Sequence, residues 1–310
     1  MKKENVLQQK IIALKQQKKA VIFAHYYQSP EIQEIADFVG DSLELSRKAA
    51  ETDAKIIVFA GVYFMAETAK ILNPTKIVIV PDINAGCSLA DGCPPDKFRD
   101  FLKNYPNHKV VTYINCSAEI KTMSDYVCTS SNAVKVINAI PPEENIVFAP
   151  DKNLGKYLIN ETGRDMVLWE GSCVVHEAFS LEKLIDLYQK NPDAVIVAHP
   201  ESEAHILKTA QYIGSTSGMI NYIKASPKPK FIIATENGIL HKMQQEVPHK
   251  ILIPAPSKED NTCACSECAF MKMNSLEKLY KCLLKESPEV LLAEELITKA
   301  QKPIQQMLKI

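Results

Sequence analysis

Nine cysteines in a chain of 310 residues are the side chains best able to do chemistry, and their spacing begins to sort them. Cys263, Cys265 and Cys268 form C-x-C-x-x-C, a local cluster that could hold zinc with a fourth ligand or form a thiol pair. No second two-cysteine knuckle completes a zinc ribbon, and the closely spaced four-cysteine run of bacterial ferredoxins is absent. A cluster would therefore be assembled from distant cysteines. Three polar loops offer them: PDINAGCSLADGCPPD (81–96), WEGSCVVHEAF (169–179) and PAPSKEDNTCACSECAFMKMN (254–274). Cys87 and Cys173 are 86 residues apart, and Cys173 and Cys268 are 95 apart, so each third of the chain carries one cysteine loop. Cys93 shares the first loop with Cys87, and spacing does not separate those two. Cys116 at a strand end, Cys128 in YVCTSSN and Cys282 in the helical KLYKCLLKE read as packed hydrophobes.

A second set of reactive groups sits where β-type runs end. AVIFA is followed by His25, Tyr26, Tyr27 and Gln28; KVVTYI carries Tyr113 and leads into Asn115. NIVFA leads to Asp151, AVIVA to His199 and Glu201, and KFIIA to Thr235 and Glu236. One polar residue at a strand end is a cap or a turn. Five ends bearing imidazole, phenol, amide and carboxylate groups point to a shared polar pocket, because parallel sheets bind ligands beyond the carboxyl ends of their strands.

Those groups need a scaffold, and the pattern supplies one. Continuous Val- and Ile-rich runs recur at 20–24, 55–60, 76–80, 109–114, 145–149, 194–198, 230–234 and 250–254, as strands buried on both faces do. Segments of helical spacing lie between them, among them 3–18, 42–50, 64–72, 131–139, 181–190 and 275–286. The fold class is α/β, with short parallel sheets covered by helices. Eight units would suit a single barrel. One cysteine loop per third argues instead for three similar α/β units meeting at a common centre. The C-terminal 293–308 reads as a further helix that covers an earlier unit.

Composition narrows the function classes. The 36 basic and 37 acidic residues leave a formal charge of −1 with no basic run, which excludes a nucleic-acid groove. No apolar stretch reaches the length of a membrane span, and the first residues lack the continuous apolar core of a signal peptide. With an odd number of cysteines, a reducing cytoplasm is the expected compartment.

The motifs resemble those of the quinolinate synthase family, iron–sulfur enzymes of NAD biosynthesis. They include AHYYQ (24–28), IADFVGDSLELSRKA (35–49), GVYFMAE (61–67), GCSLAD (86–91) and CTSSNAV (128–134). They continue in order through GSCVVH (171–176), HPE (199–201), GSTSGM (214–219), TENGILHK (235–242) and CAFMKMNSLEKL (268–279), and so cover most of the chain. The resemblance implies three α/β/α domains in pseudo-threefold arrangement around a central active site. On this reading they span 1–83, 84–170 and 171–289, with the C-terminal helix, 290–310, on the first.

The same resemblance implies one [4Fe-4S] cluster held by Cys87, Cys173 and Cys268, with one iron open to substrate. The expected reaction condenses iminoaspartate with dihydroxyacetone phosphate to quinolinate, losing phosphate and two waters. Glu201 would be the main general base, with Tyr27 and His25 assisting proton movements. Ser42, Ser130, Ser215 and Thr216 match the family's phosphate pocket; Tyr113, Asn115, His199, His25 and Glu201 complete the substrate contacts. His176 would orient Cys173 or touch substrate, and Met65 would form an apolar wall or pack in a core. Cys263 and Cys265 match a pair that forms a reversible disulfide in some relatives, but their spacing is shorter. A transient link to an aspartate-oxidising enzyme is the expected partnership. An iron–sulfur hydro-lyase acting on a small hydroxy acid is the alternative.

Overall fold

A computed structural model describes residues 3–259 and 266–310; Cys263 and Cys265 lie outside the described residues. Its twelve strands form three four-stranded, all-parallel sheets. The first contains β1 (Ala20–His25), β2 (Phe38–Gly40), β3 (Ile56–Ala60) and β4 (Ile77–Ile79). The second contains β5 (His108–Tyr113), β6 (Tyr126–Cys128), β7 (Asn145–Ala149) and β8 (Met166–Leu168). The third contains β9 (Val195–Ala198), β10 (Tyr212–Ile213), β11 (Lys230–Ala234) and β12 (Ile251–Pro254). Each sheet has the same order, second–first–third–fourth strand, and helices connect the strands, as right-handed crossovers require.

The repetition extends to single hydrogen bonds. Just before the short second strand of each sheet, a side-chain oxygen accepts from a backbone N–H of the first strand. Asp37 takes Ile22 N–H at 2.7 Å, Asp125 takes Val110 N–H at 2.8 Å, and Gln211 takes Ile196 N–H at 2.6 Å. These polar starters anchor edge strands of only two or three residues. The eight runs legible in the sequence are the other strands; β2, β6, β8 and β10, at two or three residues, have no flanking Val or Ile to extend them into a run. They matter for function, because β2, β6 and β10 deliver the serine-rich turns.

The core joins the units. One apolar cluster runs from Phe59 and Leu45 of the first sheet region to Phe148 and Val136 of the second, and takes in Ile297, Ala300, Ile304 and Met307. These last four lie on one face of the helix Glu294–Lys309, at the i, i+3, i+7 spacing of an amphipathic stripe. That helix, expected on the first unit, lies across the first and second, and Asn132 Nδ2 donates to its Met307 carbonyl at 3.0 Å. The helix Leu276–Lys285 buries Leu276, Leu279, Cys282 and Leu283 against Ile11 and the first sheet. Residues 276–289, expected in the third unit, thus pack on the first, and Lys18–Glu286 and Lys70–Glu289 ion pairs fix the return. An apolar stripe shows that a helix has a buried face; it does not say which sheet receives it.

Candidate active site

The carboxyl ends of the three sheets open into one cavity. What each strand contributes depends on its place in its sheet. First strands end in His25 and Tyr27, in Tyr113 and Asn115, and in His199 and Glu201. Second strands end in Asp41 and Ser42, in Thr129 and Ser130, and in the Ser215–Thr216 turn. The loops after the fourth strands carry Cys87, Cys173 and Cys268, all three at the cavity wall.

The cysteines share a local device. Backbone amides of the turn that follows each sulfur pull its pKa down: Leu89 and Ala90 for Cys87, His176 for Cys173, Phe270 and Met271 for Cys268. Amides aimed at sulfur favour a thiolate, the form that binds metal. Burial works the other way in the free protein, pushing Cys87 up to about 12 and Cys173 and Cys268 also upward. A soft cation brought among them would offset that cost. Three partly exposed thiols facing one cavity, each with amide support, fit a group with three sulfur ligands. Cys93, Cys116, Cys128 and Cys282 are buried in apolar surroundings instead.

Beside Cys173 lies a dense acid–base group. His176 Nδ1 is 3.2 Å from Cys173 Sγ and 3.1 Å from Glu201 Oε2, and ligand atoms of all three residues fall within 4.8 Å of one another. Tyr113 donates to Glu201 Oε1 at 2.5 Å. Burial alone would push the Glu201 carboxyl up; His176 and His199 beside it, with the His176 and Tyr113 donors, hold it down to about 2. It is an anion at neutral pH. Burial lowers His25 to about 4 and His199 to about 3, so both present neutral imidazole. Burial likewise raises the Tyr27 and Tyr113 phenols well above their ordinary value.

Hydroxyls gather on the opposite side. The Asp41 carboxylate caps the helix Ser42–Glu51 through Leu43 and Glu44 N–H, in a capping box with Glu44. Its other oxygen accepts from Ser131 and Ser217, at 2.6 Å each, so one carboxylate ties the three sheet regions together. His199 Nε2 lies 3.2 Å from Ser130 Oγ. Glu236, fully buried, accepts from Gly238 N–H at 2.6 Å, Cys268 N–H at 3.1 Å and Lys272 Nζ at 3.2 Å, and so sets the Cys268 loop. The turn that carries Glu236 presses against Tyr27: a Cβ on Gly238 would lie 2.7 Å from the Tyr27 carbonyl oxygen.

The chain matches the family model described as quinolinate synthetase A protein over residues 9–309. The chain belongs to the quinolinate synthase family. It is 58% identical to the quinolinate synthase of Microcystis aeruginosa over 296 residues, which cover 96% of this chain and 92% of that one. It is 57% identical to the Synechococcus enzyme and 56% to that of Nostoc, each over 96% of this chain and over 93% and 92% of theirs. An activity in NAD biosynthesis comes with that membership.

Of the family-like residues singled out in the sequence, Ser215 alone among the described residues does not line the cavity; its Oγ caps the helix Thr216–Ala225, accepting Gly218 N–H at 3.1 Å. Met65 and His176 do line it. Sequence reasoning placed Thr235 and Glu236 at a polar strand end without giving either a role of its own, and did not single out Thr129 or Asp41. Asp41 carried the same signal as Glu236, a carboxylate just past a strand end. No helix among the described residues is long and apolar enough to cross a membrane.

Proposed function

We propose that this cavity makes quinolinate from iminoaspartate and dihydroxyacetone phosphate, with loss of phosphate and two waters, around a [4Fe-4S] cluster. The carrying observation is the trio Cys87, Cys173 and Cys268, one from each fourth-strand loop, each sulfur backed by amides and facing the same cavity. When bound, a cluster with three cysteine ligands supplies an open iron as a Lewis acid for substrate oxygen.

The chain's own groups divide the remaining work. Ser42 and Thr216, at the first turns of ten-residue helices, and Ser130 between them present hydroxyls to a phosphate, where helix N-termini favour negative charge. Asp41 would repel a phosphate, but its carboxylate is covered by two amides and two hydroxyls. Ser215 holds the Thr216 helix in place from behind. Asn115, whose buried Oδ1 has no protein partner, joins Tyr113 and neutral His199 in binding the substrate carboxylates and imine. Glu201 accepts carbon-bound protons; a substrate that takes over its Tyr113 or His176 donor raises its basicity. Tyr27 and neutral His25, rings 4.5 Å apart, serve the isomerisation of the three-carbon partner. Phe64, Met65 and Met271 wall the cavity on its apolar side.

An imine of this kind hydrolyses readily, so an aspartate-oxidising enzyme must act close by, and a reducing cytoplasm suits the seven cysteines among the described residues, which form no disulfide with one another. The test is protein purified without air, assayed for iron and sulfide and then supplied with both substrates. Quinolinate should accumulate, and Cys173→Ser should lower iron content and product together. A fully loaded protein that makes no quinolinate overturns the reading; dehydration of a hydroxy acid in its place would favour the hydro-lyase.

A further inference from the structure

The turns that follow the second strands carry two groups of polar side chains, and adjacent residues belong to different groups. Ser42, Ser130 and Thr216, one from each turn, line the cavity. Their neighbours Asp41, Ser131 and Ser217 meet one another. Ser131 Oγ and Ser217 Oγ each lie 2.6 Å from Asp41 Oδ2, so side chains from all three sheet regions converge on one oxygen. Neither serine is among the described residues that line the cavity, although Asp41 is.

The bond directions follow from chemistry. An ionised carboxylate only accepts, so Ser131 and Ser217 both donate, and each has a single hydroxyl hydrogen to give. Neither has one left for a substrate. With the Ser217 hydrogen committed, Ser215 is the donor in the 3.3 Å contact between their hydroxyls. Asp41 itself is held firmly. Its other oxygen takes Leu43 N–H at 3.0 Å and Glu44 N–H at 2.9 Å. Its own N–H donates to Glu44 Oε2 at 2.9 Å, and Tyr26 Oη donates to that same Glu44 oxygen at 2.9 Å.

A charge at this place is unfavourable on its own, because it repels the phosphate that the proposed reaction brings into the cavity. A helix cap does not require it, since Asn and Ser cap as well as Asp. What a neutral cap lacks is a second oxygen. An amide or a hydroxyl has one, and once that oxygen holds the cap nothing remains to take two further hydrogens.

We propose that Asp41 is a positioning residue for the phosphate group. By holding Ser131 and Ser217 it aims their neighbours Ser130 and Thr216 into the cavity beside Ser42, so that three hydroxyls from three sheet regions meet one anion. The proposal rests on the reading of the cavity as the site of a phosphate-bearing substrate. The gain from three aimed donors outweighs the repulsion of a carboxylate already covered by four donors.

Repulsion and positioning predict opposite signs for Asp41→Asn, which keeps the volume and the cap, removes the charge and turns an amide NH2 toward the serines. In enzyme loaded with iron to the wild-type level, KM for dihydroxyacetone phosphate should rise about 10-fold, with kcat and KM for iminoaspartate changed much less. Ser131→Ala and Ser217→Ala should each shift the same KM in the same direction, and adding either to Asp41→Asn should change little further. Calorimetric titration with inorganic phosphate, which needs no turnover, should show weaker binding in all three single variants than in the wild type. Phosphate bound by Asp41→Asn as tightly as by the wild type, or more tightly, overturns the proposal, because the charge then only repels. A KM rise shared equally by both substrates also overturns it, as the mark of a general distortion. If Asp41→Asn does not fold, the serine variants decide, and unchanged phosphate binding in both overturns the proposal. A wild-type enzyme that binds phosphate but makes no quinolinate refutes the proposed reaction, and the titration then decides the role of Asp41 alone; one that binds no phosphate overturns both.

Discussion

Glu201 shows how much a single position owes to its neighbours. A carboxylate with almost no exposure would ordinarily take up a proton to avoid burial as a charge. Here a phenol and an imidazole donate to its two oxygens, and it stays ionised. Glu201→Gln keeps the volume and removes the proton acceptor, so turnover should fall by a factor of about 10² to 10⁴. Iron and sulfide content, measured on the same preparation, should match wild type; unchanged turnover would remove Glu201 from the chemistry. The residue was visible in the sequence because His199-Pro200-Glu201 follows an apolar run directly. Thr235 was visible only as part of a polar strand end, because a threonine ahead of Glu-Asn-Gly is indistinguishable from ordinary turn chemistry.

Among elements, the helix Ile239–Glu246 carries a pH-dependent contact. Glu246 meets Lys224 of the helix Thr216–Ala225 at 2.6 Å and Lys242 of its own helix at 2.8 Å. Its hydrogen bond to Lys224 comes first among the causes that lower its carboxyl from 4.5 to about 2, followed by that to Lys242. A folded value below the unfolded one gives stability that is present above pH 4.5 and lost as pH falls toward 2. The pair is solvent-facing, so the contribution is about 0.5 to 1 kcal/mol, less in high salt. Urea unfolding should show Glu246→Gln weaker than wild type at pH 7, with the gap closing as the pH approaches 2. A gap of equal size at both pH values would show that the charge is not its source. Helices of this kind were legible as stripes, whereas the edge strands β2, β6, β8 and β10 were not, at two or three residues each.

For the whole molecule, three copies of one topology are bound by a shared core and a shared cavity. Ile304, fully buried on the C-terminal helix, lies in the apolar cluster that spans the first and second sheet regions. Ile304→Ala should cost about 2 to 5 kcal/mol. Because the cluster is continuous, the loss should move one cooperative unfolding transition to lower denaturant; two separated transitions would show that the units unfold independently. The partition of labour by strand position also emerges at this scale. Acid–base groups end the first strands, hydroxyl turns end the second, and cysteine loops follow the fourth, so superposing three equivalent ends at one centre gathers three matched triplets.

The amino-acid order alone determined the α/β class, the single cysteine loop in each third and the polar character of the strand ends. These are local properties: apolar runs, spacing and side-chain type can be counted along the chain. Only the tertiary structure decided that the helix Leu276–Lys285 returns to the first sheet and that the C-terminal helix bridges two units. It also decided that Asp41 joins serines 90 and 176 residues away, and that Thr235 stands between Tyr27 and His176. Those outcomes depend on which surfaces meet, and a hydroxyl or a stripe carries no record of its partner until packing supplies one.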